Sequence, residues 1–183
     1  VEVVSVDPIY RFNSSEIQSR IDATYPEVLE QTRRHVSGFI WNEFATVEEL
    51  GLARRASMER FLDDYEVGAE SGRYLAAELP SLPLQDQAFG LALCSHFLFL
   101  YSGQLSQEFH VGSILEMCRV ANEVRVFPLL TLDGVRSQHV TPVTESLERH
   151  GFTVRTELVE YEFQRGGNQM MRILPRAKAA RES

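Results

Sequence analysis

Strand-like and helix-like segments alternate along the chain after Gly72, and this alternation constrains the fold more than any other feature. The strand-like runs are residues 73–77, 89–94, 123–127, about 152–160 and 169–174. Helical stretches lie between them at about 106–120 and from Thr141-Pro142 to Gly151. This order predicts an α/β fold with a mostly parallel sheet covered by helices. No helical stretch separates the last two strands, so the final strand should enter the sheet antiparallel.

One of these strands is apolar along almost its whole length. Residues 89–94 read Phe-Gly-Leu-Ala-Leu-Cys. Such a run is typical of a strand that is covered on both faces of a parallel sheet. The sequence therefore predicts that this strand is buried on both of its faces.

The first 72 residues carry a different pattern, in which a short strand precedes a long helical segment. Residues 1–6 are rich in valine and predict a strand that ends at Asp7-Pro8. Capping-box spacing occurs at residues 15–18 and again at residues 46–49. Residues 14–64 are therefore predicted to be mostly helical.

Within this helical segment, apolar residues recur at helical intervals from Pro26 to about residue 44. The segment is expected to lie over the ligand edge of the sheet, because it is far longer than an ordinary connection. It is thus a candidate region for substrate choice. Phe39, Trp41 and Phe44 are candidates to wall an acceptor pocket, although ordinary packing explains these rings equally well.

Composition excludes several classes of protein. No apolar run approaches the roughly 18 residues of a membrane span, and two cysteines are too few for a disulfide scaffold or a zinc ribbon. The net charge of −8 disfavours a general nucleic-acid binder, and the histidine spacing builds no metal site. Two thiols suit a reducing compartment, so we expect a cytoplasmic protein. The length predicts a single domain over residues 1–183, with a polar tail at 175–183.

Ligands of open α/β sheets lie beyond the carboxyl ends of the strands, so the residues at those ends form the candidate site. They are Asp7, Glu78-Leu79, Cys94-Ser95-His96 and Phe127-Pro128. A carboxylate such as that of Asp7 offers two acceptor oxygens and can bind both hydroxyls of a ribose. The alternative is that Asp7-Pro8 only ends a strand and begins a turn.

Several separated blocks of the chain resemble methyltransferases. Residues 77–93, which begin Ala-Glu-Leu-Pro-Ser-Leu-Pro, resemble a stretch typical of class I S-adenosylmethionine-dependent methyltransferases. In that family an acid precedes Leu-Pro-Phe and an Asp, and Phe-Asp opens an apolar fourth strand. Residues 93–101, 119–120, 124–130 and 161–170 are similar to a bacterial methyltransferase-domain family of unassigned substrate. The resemblance covers nearly the whole chain.

The resemblance implies a Rossmann-like methyltransferase sheet and a role for each residue at its edge. Asp7-Pro8 matches the end of the second strand, where the acid binds the ribose hydroxyls of S-adenosylmethionine. Glu78 matches the acid that accepts from the adenine amino group, and Leu79 matches the neighbour that meets the adenine ring. Ser95-His96 matches the end of the fourth strand, where the methionine portion of the cofactor meets the acceptor.

The chain departs from the family pattern at two places. Gly90 stands where the family has the Asp of Phe-Asp, which costs a local turn contact. The family's first strand and its Gly-rich loop are expected just before Val1. Only glycine lets backbone amides approach the cofactor so closely, so no other part of the chain substitutes for that loop. We therefore interpret the sequence as an N-terminally truncated methyltransferase domain.

The activity implied by the resemblance is transfer of a methyl group to an unidentified acceptor, a small molecule or a protein rather than nucleic acid. His96 is the candidate general base, because an imidazole titrates near neutral pH. Alternatively, His96 only bonds to the neighbouring backbone. Tyr101 and Asn168 are candidates to line the acceptor pocket, or else belong to turn and hairpin structure.

Two other functions stay open. The chain can be a non-catalytic interaction module that keeps the methyltransferase fold. It can also be a nicotinamide-dependent oxidoreductase, since Asp7 would serve the ribose of that cofactor as well. The oxidoreductase is less favoured, because the loop from Glu78 to Asp86 has no role in it.

Overall fold

Two short strands and two long helices make up the first part of the chain. The computed structural model describes residues 2–176 and divides the chain into one compact unit up to Glu78 and a second from Leu79 onward. The elements of the first unit are β1 (Ser5–Val6), α1 (Ser14–Arg34), α2 (Val47–Glu70) and β2 (Tyr74–Leu75). Strands β1 and β2 pair in parallel. The predicted first strand is thus confirmed at its carboxyl end, and Val1 lies outside the described residues.

The start of α1 differs from the predicted one. The Asn13 Oδ1 accepts from the Glu16 N–H at 2.9 Å, and the Glu16 Oε2 accepts from the Asn13 N–H at 3.0 Å. The capping box is therefore Asn13 to Glu16, and its prediction at residues 15–18 is wrong. The reason is conformational: Asn13 has the extended backbone of a cap, whereas Ser15 is already helical.

Pro26 lies inside α1 instead of near the start of a helix, and α1 ends well before residue 44. The Trp41 indole N–H donates to the Val36 carbonyl at 2.9 Å, where a continuing helix would place a backbone N–H. The Phe39 and Trp41 rings pack edge to face at 6.2 Å beside this bond. The predicted helical run to residue 44 is thus wrong, whereas the mostly helical character of residues 14–64 is confirmed.

Helix α2 begins after Thr46, as predicted. The Thr46 Oγ1 accepts from the Glu49 N–H at 3.1 Å, and the Glu49 Oε2 accepts from the Ala45 N–H at 2.7 Å. A Cβ added at Gly51 would lie 2.7 Å from Leu29 Cδ2, so glycine at this position lets α1 and α2 pack closely.

An aromatic cluster packs the segment after β1 against α2 and β2. Tyr10, Phe61, Tyr65 and Tyr74 form it, with ring centroids between 5.1 and 6.1 Å apart. The buried Tyr65 hydroxyl lies 2.9 Å from the Tyr10 carbonyl and 2.8 Å from that of Phe12, and donates to them. The cluster therefore fixes the chain just beyond the carboxyl end of β1.

The second unit contains a mixed sheet of four strands. Its elements are β3 (Phe89–Ser95), α3 (Gln107–Val120), β4 (Ala121–Phe127), α4 (Val140–Arg149), β5 (Phe152–Leu158) and β6 (Gln169–Pro175). The strand order is β3-β4-β6-β5, in which β3 and β4 are parallel and β6 is antiparallel to both of its neighbours. The predicted α/β class and the predicted antiparallel last strand are both confirmed.

One face of this sheet forms the core of the second unit. Val124 and Val126 of β4 and Met171 and Ile173 of β6 are at most 1% exposed. The other fully or largely buried members of the cluster are Cys94, Leu98, Phe99, Ile114, Met117, Cys118, Leu129, Val140, Val143 and Leu147. Because α3 and α4 supply many of these residues, both helices cover the same face of the sheet.

The other face of the sheet, the polar face, carries charged side chains on β4 and β6 beside exposed leucines on β3. Arg172 and Arg125 donate to the Glu123 carboxylate at 2.8 and 2.6 Å. Leu91 and Leu93 of β3 lie opposite Glu123 and Arg125 in the parallel register and are 41% and 68% exposed. The prediction that β3 is buried on both faces is therefore wrong. The physical reason is that its neighbour β4 alternates apolar and charged residues, so only one face of the pair packs into a core.

The described part of the chain ends one residue after β6. The predicted polar tail at 175–183 falls mostly outside the described residues, which stop at residue 176. The single domain over residues 1–183 stays a prediction. None of the helices in residues 2–176 has the length and apolar character that a membrane crossing requires.

Candidate functional site

Asp7 lies directly after β1, next to β2. Its N–H donates to the Leu75 carbonyl at 3.2 Å and so extends the parallel pairing by one bond. Its Oδ1 accepts from the Ile9 N–H at 2.8 Å and caps the 3-10 helix Pro8–Arg11. Among the described residues, none donates a hydrogen bond to Oδ2. The turn role and a ligand role are therefore compatible, because each uses a different oxygen.

Glu78 lies three residues after the end of β2. Because β1 and β2 are parallel, Glu78 and Asp7 both follow the carboxyl end of their strand. It is exposed, and its carboxylate forms no hydrogen bond with another described residue. Leu79 belongs to the second unit, where it is partly buried and packs against the hydrophobic core. Two candidate acids thus lie in the first unit, and the candidate adenine contact of Leu79 lies in the second.

Ser95 is the last residue of β3, and its Oγ lies 2.7 Å from Nδ1 of His96. His96 has a φ of +56°, in the left-handed region that costs a residue with a Cβ about 1–2 kcal/mol. The His96 N–H donates to the Phe127 carbonyl at 2.7 Å, and the two rings pack edge to face at 5.5 Å. The end of β4 therefore holds His96 in a strained conformation, and such strain concentrates at functional sites.

Three loops meet at this carboxyl edge of β3 and β4. The Leu132 N–H, after β4, donates to the Leu100 carbonyl, after β3, at 3.1 Å. The Tyr161 ring, after β5, lies 6.0 Å from the Phe127 ring. The sequence placed Phe127 at a strand end but assigned it no role. The sequence feature that could have indicated a role is the position of Phe127 at the end of a strand, directly before Pro128. In the structure, Phe127 pairs with Ser95 in the parallel register.

Tyr101 and Asn168, the candidate pocket residues, lie in different surroundings. Tyr101 ends the 3-10 helix Phe99–Tyr101, is 39% exposed, and has its ring 6.2 Å from that of Phe97. The contact observed for Asn168 is a backbone one, in which its carbonyl accepts from the Val159 N–H at 2.9 Å. Tyr101 thus presents a ring to solvent, whereas Asn168 closes the connection between β5 and β6.

Elsewhere, the acidic Asp64 has structural partners, and the two thiols are buried in the protein interior. The Asp64 carboxylate accepts from both Nη atoms of Arg73 at 2.8 Å and from the Tyr74 hydroxyl at 2.9 Å. Cys94 and Cys118 are free and buried, and burial raises the pKa of the Cys118 thiol to about 12. In the part of the chain that the structure describes, no group of three His, Cys, Asp or Glu side chains is placed to hold a metal ion.

The helical segment of the first unit contains an open apolar cavity of about 390 Å³. Its lining residues are Phe44, Ala53, Arg54, Ser57, Met58 and Phe61. Phe44 is one of the three rings that the sequence proposed as pocket walls. The other two, Phe39 and Trp41, pack against each other. The segment therefore does offer an apolar surface that includes one of the candidate rings.

Comparison with known proteins places the chain in a family without assigning it an activity. No family model matches the chain, and no solved structure matches it. A relative is the uncharacterized protein MJ0045 of the archaeon Methanocaldococcus jannaschii, which is 31% identical over 176 residues. The alignment covers 93% of this chain and 75% of that protein. At this identity and coverage, the chain belongs to the same family as MJ0045 of Methanocaldococcus jannaschii.

Proposed function

We propose that this protein is an S-adenosylmethionine-dependent methyltransferase that acts on an unidentified small-molecule or protein acceptor. The observation that carries the proposal is the strained Ser95–His96 pair at the carboxyl end of β3. Parallel α/β sheets bind their ligands at this edge. The motif resemblance, which includes the same two residues, supplies the kind of ligand.

The topology of the second unit supports a Rossmann-like methyltransferase sheet. Strands β3 and β4 are parallel, with α3 as the crossover helix between them. The last strand, β6, is antiparallel, which is the arrangement that the resemblance implies. A sheet of this kind leaves the loops after β3 and β4 on one edge, where cofactor and acceptor would meet.

The resemblance assigns the binding of S-adenosylmethionine to Asp7, Pro8 and Glu78 of the first unit and to Leu79 and Ser95 of the second. Asp7 fits the ribose hydroxyls because its Oδ1 is fixed by the Ile9 N–H while its Oδ2 accepts no bond from a described residue. Glu78 fits the adenine amino group because its exposed carboxylate likewise forms no bond to a described residue. Unengaged acceptor oxygens at strand ends are what the donor groups of an adenosine require.

When bound, S-adenosylmethionine would supply a methyl group attached to a positively charged sulfur. The residues of the chain would orient the acceptor and exclude water, which is the main contribution of a protein to this kind of displacement. The His96 imidazole would take a proton from an acceptor atom that must lose one. The Ser95 hydroxyl, bonded to Nδ1, would fix the orientation of that ring.

Calorimetric titration of the protein with S-adenosylhomocysteine tests this function. NADH is the matched control ligand, because it also carries an adenosine ribose that Asp7 would be able to bind. We expect saturable binding of S-adenosylhomocysteine and no binding of NADH. Binding of NADH alone would favour the oxidoreductase, and binding of neither ligand would favour the non-catalytic interaction module.

A further inference from the structure

The segment 79–87 contains no helix or strand and packs against one face of α3. Glu116 and Arg119 are one helical turn apart and share this face. The Glu116 Oε1 accepts from the Leu82 N–H at 2.6 Å. A backbone N–H of the segment is therefore bound to a helix side chain.

All three guanidinium nitrogens of Arg119 donate hydrogen bonds, either to this segment or to Glu116 on α3. Its Nη1 donates to the Leu84 carbonyl at 2.8 Å and to the Asp86 carboxylate at 2.6 Å. Its Nη2 donates to the Leu82 carbonyl at 3.0 Å and to the Glu116 Oε1 at 2.7 Å. Its Nε donates to the Glu116 Oε2 at 2.9 Å. A planar fork with fixed donors suits such a set of acceptors, whereas a lysine ammonium does not.

Both ends of the segment also lie on α3. A Cβ added at Gly112 would be 3.6 Å from the Pro80 Cβ, which is an ordinary contact distance. At the other end, the Gln87 N–H donates to the Arg119 carbonyl at 2.8 Å, and its Nε2 donates to the Cys118 carbonyl at 3.1 Å. The segment is thus held along its length, with Arg119 as the central contact.

The charges in this contact are partly shielded from water. The side chain of Glu116 is 14% exposed and that of Arg119 is 33% exposed, whereas that of Asp86 is 76% exposed. The bond from Arg119 lowers the pKa of Glu116, and the bonds to Glu116 and Asp86 raise the pKa of Arg119. Both groups therefore stay charged at neutral pH, so the contact persists there.

We propose that Arg119 is a positioning residue that holds the segment 79–87 on α3, so that Leu79 presents its backbone amide and side chain to the adenine ring. This inference rests on the proposed methyltransferase function. Arg119 acts through the segment and not on the cofactor. It also gives Asp86 a definite partner within the protein.

The test compares adenine recognition between variants. Arg119→Lys keeps the charge but loses the fork, and Asp86→Asn removes an exposed ion pair at little cost to the fold. The readout is the ratio of the Kd of the inosine analogue of S-adenosylhomocysteine to the Kd of S-adenosylhomocysteine. The analogue has a carbonyl in place of the adenine amino group. A variant that is only less stable binds both ligands less, so its ratio does not change.

We expect the wild-type protein to prefer S-adenosylhomocysteine, and Arg119→Lys to reduce that preference roughly threefold or more, with a smaller reduction for Asp86→Asn. Arg125→Lys, which disturbs a similar ion pair with Glu123 on the polar face of the sheet, should keep the wild-type ratio. An unchanged ratio in both segment variants, or no adenine preference in the wild type, would overturn the inference. No binding at all by the wild type would instead contradict the proposed function.

Discussion

The hydroxyl of Ser95 reaches Nδ1 of His96 at 2.7 Å, although the two residues are neighbours at the end of a strand. In a continuing strand their side chains would point to opposite faces of the sheet. The left-handed backbone of His96 turns the chain and brings the two side chains together. The strained residue therefore creates the candidate catalytic pair.

Replacing His96 with glycine should give a more stable protein than replacing it with alanine. Both changes remove the imidazole and its contacts with Ser95 and Phe127, but only glycine adopts a φ of +56° freely. We expect the free energy of unfolding, measured by urea denaturation, to be about 1 kcal/mol higher for His96→Gly than for His96→Ala. Equal stability, or the reverse order, would contradict the left-handed conformation.

Two glycines should respond in opposite ways to alanine. A Cβ at Gly90 in β3 would meet nothing within 4 Å, so Gly90→Ala should raise the free energy of unfolding by about 0.5 kcal/mol. A Cβ at Gly68 would overlap the Tyr74 ring, so Gly68→Ala should lower the free energy of unfolding by about 1–3 kcal/mol. Urea denaturation of both variants measures the difference. A stable Gly68→Ala protein would show that Tyr74 does not pack on this glycine.

Alanine substitutions at two buried serines should differ in their effect on the free energy of unfolding. The Ser113 hydroxyl has no hydrogen-bond partner among the described residues, so Ser113→Ala should leave stability unchanged or raise it by up to about 1 kcal/mol. The Ser137 hydroxyl lies 2.6 Å from that of Ser102 and accepts from the His139 N–H at 3.1 Å. Ser137→Ala should therefore cost about 1–3 kcal/mol in the same denaturation experiment. Equal losses at the two positions would indicate that Ser113 is bonded.

Acid should weaken the polar face of the sheet through Glu123. Hydrogen bonds from Arg172 and Arg125 lower the pKa of Glu123 from 4.5 to about 2. Because its pKa is lower in the folded state, Glu123 contributes stability above its unfolded pKa and loses that contribution as the pH falls towards 2. The stability difference between the wild type and Glu123→Gln should therefore shrink between about pH 5 and 2. A pH series of urea denaturation measures it, and a constant difference would contradict the ion pairs.

The α/β class and the antiparallel last strand were predictable because they depend on local periodicity and on a connection without a helix. The burial of β3 was not predictable, because it depends on the residues of the neighbouring strand β4. Glu123 and Arg125 occupy the neighbouring positions on β4, and nothing within residues 89–94 reports this. The position of the first capping box was predicted wrongly for a similar reason, because the backbone conformation at Asn13 decides which residue is the cap.

The members of the candidate site were predictable singly, but their geometry was not. Ser95 and His96 stand out as the polar end of an apolar strand. The left-handed His96 donates its backbone N–H to the Phe127 carbonyl, and Phe127 lies far along the chain. The hydrogen bonds from Arg119 to the Leu82 and Leu84 carbonyls likewise depend on the tertiary fold, so no local sequence pattern predicts them.

The most direct test of a cofactor site is the effect of Asp7→Asn on the binding of S-adenosylhomocysteine. Asparagine keeps an oxygen that can cap the Ile9 N–H but loses the second acceptor and the charge. Asp63→Asn makes the same chemical change at an exposed position of α2. Calorimetry should show at least about tenfold weaker binding for Asp7→Asn and wild-type binding for Asp63→Asn. Equal binding by all three proteins, or no binding by the wild type, would contradict an S-adenosylmethionine site at Asp7.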